Sequence, residues 1–168
     1  ALQGASKWNT LIGAYAGDAA TVAQENTSLG YQAFSTEVEG SKNVALGTQA
    51  LKNTNAGGSD GSVTNTYNTA IGSQAGLYHG TGTNNTFIGG HAGIGISDSG
   101  GGAGSGHMTG NSNTIVGSTA GYVLQGDAET NTMIGGSSGS STTTGKGNTY
   151  LGKSAGNTVT TGNNNVCV

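Results

Sequence analysis

The stretch Asn68-Thr69-Ala70-Ile71-Gly72-Ser73-Gln74-Ala75-Gly76 decides the fold, because it returns along the chain in eight versions. NTLIGAYAG begins at Asn9, NTSLGYQAF at Asn26, NVALGTQAL at Asn43 and NTFIGGHAG at Asn85. NTIVGSTAG follows from Asn113, NTMIGGSSG from Asn131 and NTYLGKSAG from Asn148, and NVCV from Asn165 opens a ninth copy. The common pattern is N-[TV]-x-[ILV]-G-x-x-[AS]-[GFL], with successive asparagines 17, 17, 25, 17, 28, 18, 17 and 17 residues apart. A recurring unit of this kind is the mark of a stacked-repeat architecture.

A 17-residue period accommodates one coil of a β-solenoid, with two short strands joined by two turns. Helical repeats need about 33–47 residues and a 3.6-residue apolar period, and neither occurs. About nine coils of ~17 residues, rising ~4.8 Å each, form an all-β rod near 40 Å long. The whole chain, 1–168, reads as one solenoid domain, with insertions at about 51–67 and 94–112 where the period lengthens. The first strand of each coil is clear, and a fainter second one is expected near Thr21-Val22 and Val159-Thr160.

Positions two apart in a strand share a face. Thr at the second place and Ile, Leu or Val at the fourth are therefore expected to point together into the coil. The fourth-place residues are Ile12, Leu29, Leu46, Ile71, Ile88, Val116, Ile134 and Leu151. The variable third place (Leu11, Ser28, Ala45, Ala70, Phe87, Ile115, Met133, Tyr150, Cys167) is then expected to face outward. The glycine that follows (Gly13, Gly30, Gly47, Gly72, Gly89, Gly117, Gly135, Gly152) marks a place where a Cβ is unwelcome. The repeated Asn can stack its side-chain amides into a ladder from coil to coil.

Composition agrees with a core-poor but ordered protein. The chain has 34 Gly, 24 Thr, 17 Asn and no Pro, 8% charged residues and a formal charge of −3. Collagen needs Pro and a strict three-residue glycine period, and disorder usually pairs low hydropathy with high net charge. No apolar run approaches a membrane span of roughly 20 residues. There is no Arg, and the five Lys are scattered, so the clustered cations of a nucleic-acid surface are missing. Cys167 is the single cysteine, which excludes an internal disulfide framework. Each coil buries little apolar area against roughly 1–2 kcal/mol of backbone entropy per residue. Packing of an outward apolar stripe against identical chains is expected to supply the rest, in a homotrimer.

The motif N-T-x-I-G-x-x-A-G resembles the repeats of YadA-like head domains of trimeric autotransporter adhesins, and very similar arrays in bacteriophage tail fibres. The resemblance implies a left-handed parallel β-roll, three chains side by side, and a structural role in attachment. The period of 17, rather than about 14, and Thr in place of Val favour the phage-fibre branch, with the adhesin head as the alternative. It implies a virion or extracellular location, or a bacterial cell surface in the alternative. The partners it implies are other fibre or baseplate proteins and a host cell-surface glycan or protein receptor. No neck, coiled-coil stalk or membrane anchor follows, which suggests a fragment or a separately encoded tip.

Other motifs carry less. Gly147 to Ser154 matches G-x-x-x-x-G-K-[ST] letter for letter, but no hydrophobic strand precedes it and no helical pattern follows it to cradle a phosphate. Gly101 to Thr109 resembles a calcium-binding nonapeptide, with Gly106 where Asp is required. His79, His91 and His107 lie in or beside the insertions without a His-x-His pair and are expected to be exposed loop residues. Asp18, Asp60, Asp98 and Asp127 occupy non-equivalent coil positions. The reading is a non-enzymatic chain with no cofactor and no metal.

An ice-binding solenoid is a further alternative, set back because the repeated Thr is expected to point inward with its aliphatic neighbour. Receptor contact is expected in the insertions, where Tyr67, Tyr78, His79, His91 and His107 supply ring and hydrogen-bonding groups suited to sugars. Asp60 and Asp98 add carboxylates nearby, with Asn53, Asn55 and Asn111 as further polar groups.

Overall fold

The computed structural model describes residues 6–37, 39–54, 64–96 and 107–168. Among them there is no helix. The strands are β1 (Thr10–Ile12), β2 (Thr27–Leu29), β3 (Gly40–Ser41), β4 (Val44–Leu46), β5 (Thr64–Asn65) and β6 (Thr69–Ile71). They continue as β7 (Thr86–Ile88), β8 (Thr114–Val116), β9 (Thr132–Ile134), β10 (Thr149–Leu151) and β11 (Val166–Cys167). Each of the eight full motifs contributes its second to fourth residues, and the copy from Asn165 its second and third, to a nine-stranded sheet ordered β1-β2-β4-β6-β7-β8-β9-β10-β11. All its pairs are parallel and in motif register, as in Val44↔Thr69 and Phe87↔Ile115. This is an all-β parallel solenoid.

The second strand expected around Thr21-Val22 and Val159-Thr160 is absent; Thr21, Val22 and Thr160 are bends and Val159 is irregular. A two-stranded sheet of β3 and β5 forms just ahead of the motif instead. Elsewhere, coil-to-coil hydrogen bonds run through the turns. Gly76 N–H donates to Ala92 O at 3.0 Å, and Gly93 N–H to Ala120 O at 2.9 Å. Backbone groups are therefore satisfied between coils even where no strand is drawn.

The expected facing of the strand is reversed. Ser28, Ala45, Ala70, Phe87, Ile115, Met133 and Tyr150, all third-place residues, are buried, and the Thr and aliphatic positions face solvent. The first-place asparagine explains why. It shares a face with the third residue, and that face must be inward for the asparagines to stack without water.

Asn113 shows the pattern: its Nδ2 donates to Asn85 Oδ1 at 3.0 Å and to Ala128 O at 2.8 Å. Its Oδ1 accepts the N–H and the Nδ2 of Asn131, each at 3.0 Å. One side chain thus ties three successive coils and closes its own.

The turn after each strand needs the conserved glycine. Gly72 has φ +132°, and a Cβ there would lie 2.6 Å from Gly89 O in the next coil. Two residues on, Tyr15, Gln32, Gln49, Gln74, His91, Thr119, Ser137 and Ser154 adopt φ between 53° and 60°. That conformation is held by ladder bonds such as Gln74 N–H to Thr48 O at 2.8 Å, and it aligns these side chains in a row along one corner. The eighth-place Ala or Ser packs inside as expected, with Ala33, Ala50, Ala75, Ala92, Ala120 and Ser138 all buried.

Candidate functional site

Outward Thr and outward aliphatic residues make the nine-stranded sheet a surface of two parallel rows. One row is Thr10, Thr27, Val44, Thr69, Thr86, Thr114, Thr132, Thr149 and Val166; the other runs from Ile12 to Leu151. No position in either row is charged. Ile12 is 57% exposed, Ile88 37% and Leu151 51%, so even mid-sheet side chains present a large part of their surface to water. The strip is roughly 40 Å long and ~10 Å wide, with hydroxyl-bearing and aliphatic side chains side by side.

The insertion-side residues divide into separate places. Tyr67 is exposed at its corner, with Lys42 Nζ 5.2 Å from the ring centroid and 3.3 Å from the hydroxyl. Tyr78 lies beside His107, with ring centroids 6.0 Å apart, and His91 beside Tyr122 at 6.4 Å. Asp60, Asp98 and Asn55 lie outside the described residues. Asn53 is half-buried, and Asn111 is exposed and accepts from Thr83 N–H at 2.7 Å. These groups form no single cluster among the described residues.

His79 is not an exposed loop residue. It is 1% exposed, edge-on to Phe87 at 5.4 Å, with Nε2 3.0 Å from Asn85 Nδ2. The amide must donate, so Nε2 accepts and the ring proton sits on Nδ1, an atom with no partner among the described residues. Burial, helped by His107, lowers its pKa to about 3.

A sequence signal for this existed. Residue 79 is eleven places after its motif asparagine, a place buried at Ala20, Glu37, Thr54, Leu124 and Thr142, half-buried at Val159 and exposed at Ile96. Glu37 uses the same inward position differently, its Oε1 accepting from Glu39 N–H at 2.9 Å and Gly40 N–H at 2.7 Å.

Gly147 to Ser154 runs into β10, with Asn148 in the amide ladder and Tyr150 in the core, and so builds a coil like its sisters. Asp127 pairs with Lys146 at 2.6 Å, and its carboxyl is held below the usual range by that hydrogen bond and charge. Among the described residues no group of three His, Cys, Asp or Glu is gathered for a metal, and no helix is long and apolar enough to cross a membrane.

The fold and its two-row face define a parallel β-solenoid with an uncharged Thr/aliphatic sheet face. No family model matches the chain, and no curated protein or solved structure matches it.

Proposed function

We propose that this chain is a non-enzymatic segment of a homotrimeric attachment fibre, of the kind found in bacteriophage tails, with a left-handed coil. The observation that carries the reading is the uncharged Thr/aliphatic face running the length of the sheet. Its natural occupant is a second copy. A surface repeating at each strand spacing is matched along its whole length only by another with the same repeat, and closed packing of three buries every stripe. The trimer expected from the sequence is kept, with the interface moved from the third-place residues to Ile12, Leu29, Leu46, Ile71, Ile88, Val116, Ile134 and Leu151.

Sedimentation velocity and mass photometry at micromolar concentration test it. A trimer is expected for the native chain and a folded monomer for Ile71→Lys with Ile88→Lys. A stable native monomer overturns the reading. The adhesin-head alternative is separated by genomic context: tail genes alongside support the fibre, and a downstream anchor barrel supports the adhesin.

A second reading is favoured by one specific observation. The objection to ice binding was an inward Thr, and Thr10, Thr27, Thr69, Thr86, Thr114, Thr132 and Thr149 all face outward. A flat, in-register Thr row on an uncovered sheet can order water instead of meeting protein. Thermal hysteresis from a native monomer establishes that reading, and a trimer with no hysteresis removes it.

A further inference from the structure

The corner row beside the sheet is not uniform. In the first three coils it carries Tyr15, Gln32 and Gln49, and next to it lies an open cleft of about 330 Å³ lined by Asp18, Ala19, Gln32, Ser35, Thr36 and Lys52. Three coils contribute, and backbone bonds hold them in register. Ala19 N–H donates to Ser35 O at 3.2 Å, and Thr36 N–H to Lys52 O at 3.1 Å. The cleft is therefore as rigid as the solenoid itself.

One of its polar groups is held in a fixed orientation. Gln49 Nε2 donates to Gln32 Oε1 at 3.1 Å, and Lys52 Nζ donates to the same oxygen at 3.0 Å. Two donors on Oε1 fix the orientation of the Gln32 amide, which leaves its Nε2 as the available donor. Asp18 and Ser35 also line the cleft, and the Thr36 hydroxyl there donates to Lys52 O.

Further along the same corner, outside the residues that line the cleft, Tyr15 is 61% exposed and Tyr31 48%, in an edge-to-face pair with ring centroids 6.1 Å apart. Tyr15 occupies the same corner row as Gln32, and Tyr31 directly precedes it in sequence.

We infer that this cleft is a glycan-binding subsite for neutral hexose or hexosamine units of a cell-surface polysaccharide. Vicinal sugar hydroxyls need one acceptor and fixed donors, which Asp18, Gln32 and Lys52 supply. The apolar C–H face of a pyranose ring stacks on an exposed aromatic ring, and for a unit extending past the cleft the tyrosine pair next along the corner row offers one. With a carboxylate and an ammonium both at the rim, and a net charge of −3 on the chain, no excess cation is present to select an acidic sugar. This rests on the attachment reading and moves recognition from the insertions to the first three coils.

The test applies the native chain, in its own oligomeric state, to a printed array of neutral and acidic glycans, with hits quantified by calorimetry. Binding to neutral glycans is expected. Tyr15→Ala with Tyr31→Ala, and separately Asp18→Asn, should each weaken it at least about tenfold, and Tyr67→Ala should leave it unchanged. Absence of neutral-glycan binding overturns the inference, as does binding that survives both of these variants or depends on Tyr67.

All these side chains are at the surface, so sedimentation of the variants should match the native chain. A trimer that binds no glycan defeats the subsite alone. A native monomer defeats the fibre reading alone.

Discussion

The ring of Phe87 occupies the space that any side chain at residue 93 would need, so the third and ninth places of one motif compete for one volume. The same exclusion links Met133 with Gly139 and Tyr150 with Gly156, where a Cβ would lie 2.5 Å from Met133 Sδ and 2.6 Å from Tyr150 Cδ1. Where the third place is small, the ninth is large: Ser28 goes with Phe34 and Ala45 with Leu51, all four buried. Ala70 with Gly76 is filled from next door, since a Cβ on Gly76 would meet Leu51 and Phe87 at 2.9 Å. The variability of the third residue is thus volume exchange within a narrow core.

That exchange predicts a compensating pair. Phe87→Ala alone should destabilise by about 3–5 kcal/mol through the cavity it leaves. Gly93→Leu alone should destabilise by roughly 1–3 kcal/mol from overpacking, with some left-handed strain added. Together they recreate the Ala45/Leu51 arrangement, so urea unfolding should show a double mutant at least about 1 kcal/mol more stable than the sum of its parts. Strict additivity would defeat the explanation.

The fifth-place glycines should separate strain from collision. Gly72 and Gly152 share φ +132°, but a Cβ on Gly72 meets Gly89 O at 2.6 Å, whereas one on Gly152 finds nothing nearer than Val168 C at 3.8 Å. In the 168-residue chain, Gly152→Ala should destabilise by about 1–3 kcal/mol from backbone strain alone. Gly72→Ala should destabilise by at least ~2 kcal/mol more, because backbone must move. Equal losses in thermal unfolding would mean that the approach between coils is not what demands glycine.

Much of this was legible in the sequence, and the exceptions have physical causes. Motif spacing carried the register, the parallel stacking and the amide ladder, because each follows from one residue type returning at one place. The direction of the strand departs from expectation because Ile12 and its equivalents are the more apolar row, which hydropathy alone points inward. The clue was parity: the stacked Asn113 must be buried, and it shares its face with Ile115, not with Val116. His79 departs from expectation because it adjoins an insertion, while its place in the motif is buried at Thr54 and Leu124 and exposed at Ile96. The cleft at Asp18, Gln32 and Lys52 is not legible, since it joins three coils and both Asp18 and Lys52 fall just outside the nine-residue motif.

The amide ladder should respond to charge as a buried hydrogen-bond chain does. Asn113→Ala removes two donors and one doubly used acceptor at a fully buried site and should destabilise by roughly 2–4 kcal/mol. Asn113→Asp keeps the shape but sets a carboxylate against Asn85 Oδ1 and Ala128 O, both acceptors. Its folded pKa should therefore rise above the unfolded value, so that its stability is present at low pH and lost as pH rises through the folded pKa. The loss relative to the native chain should be clearly smaller at pH 4 than at pH 7. A loss independent of pH would show that Asn113 does not donate as assigned.

His79 makes the opposite prediction for the native chain. Its pKa of about 3 in the folded state lies below the 6.5 of a free imidazole, because burial disfavours the charged ring and His107 adds to the effect. Between those values the unfolded chain binds a proton that the folded chain does not, so stability rises with pH. The contribution is fully present above about pH 6.5 and is lost as pH falls toward 3, amounting to at most about 5 kcal/mol. His79→Gln keeps an acceptor for Asn85 Nδ2 without a titrating group, and it should flatten the difference between urea midpoints at pH 7 and pH 4. Carboxylates titrate in the same window, so the comparison is with the native curve. A variant whose midpoint falls as steeply as that of the native chain would place the acid sensitivity elsewhere. In the native chain, nitrogen-15 shifts of the His79 ring should report one neutral tautomer, protonated at Nδ1, throughout this range, and a charged ring at pH 5 would contradict the buried, Asn85-bonded position.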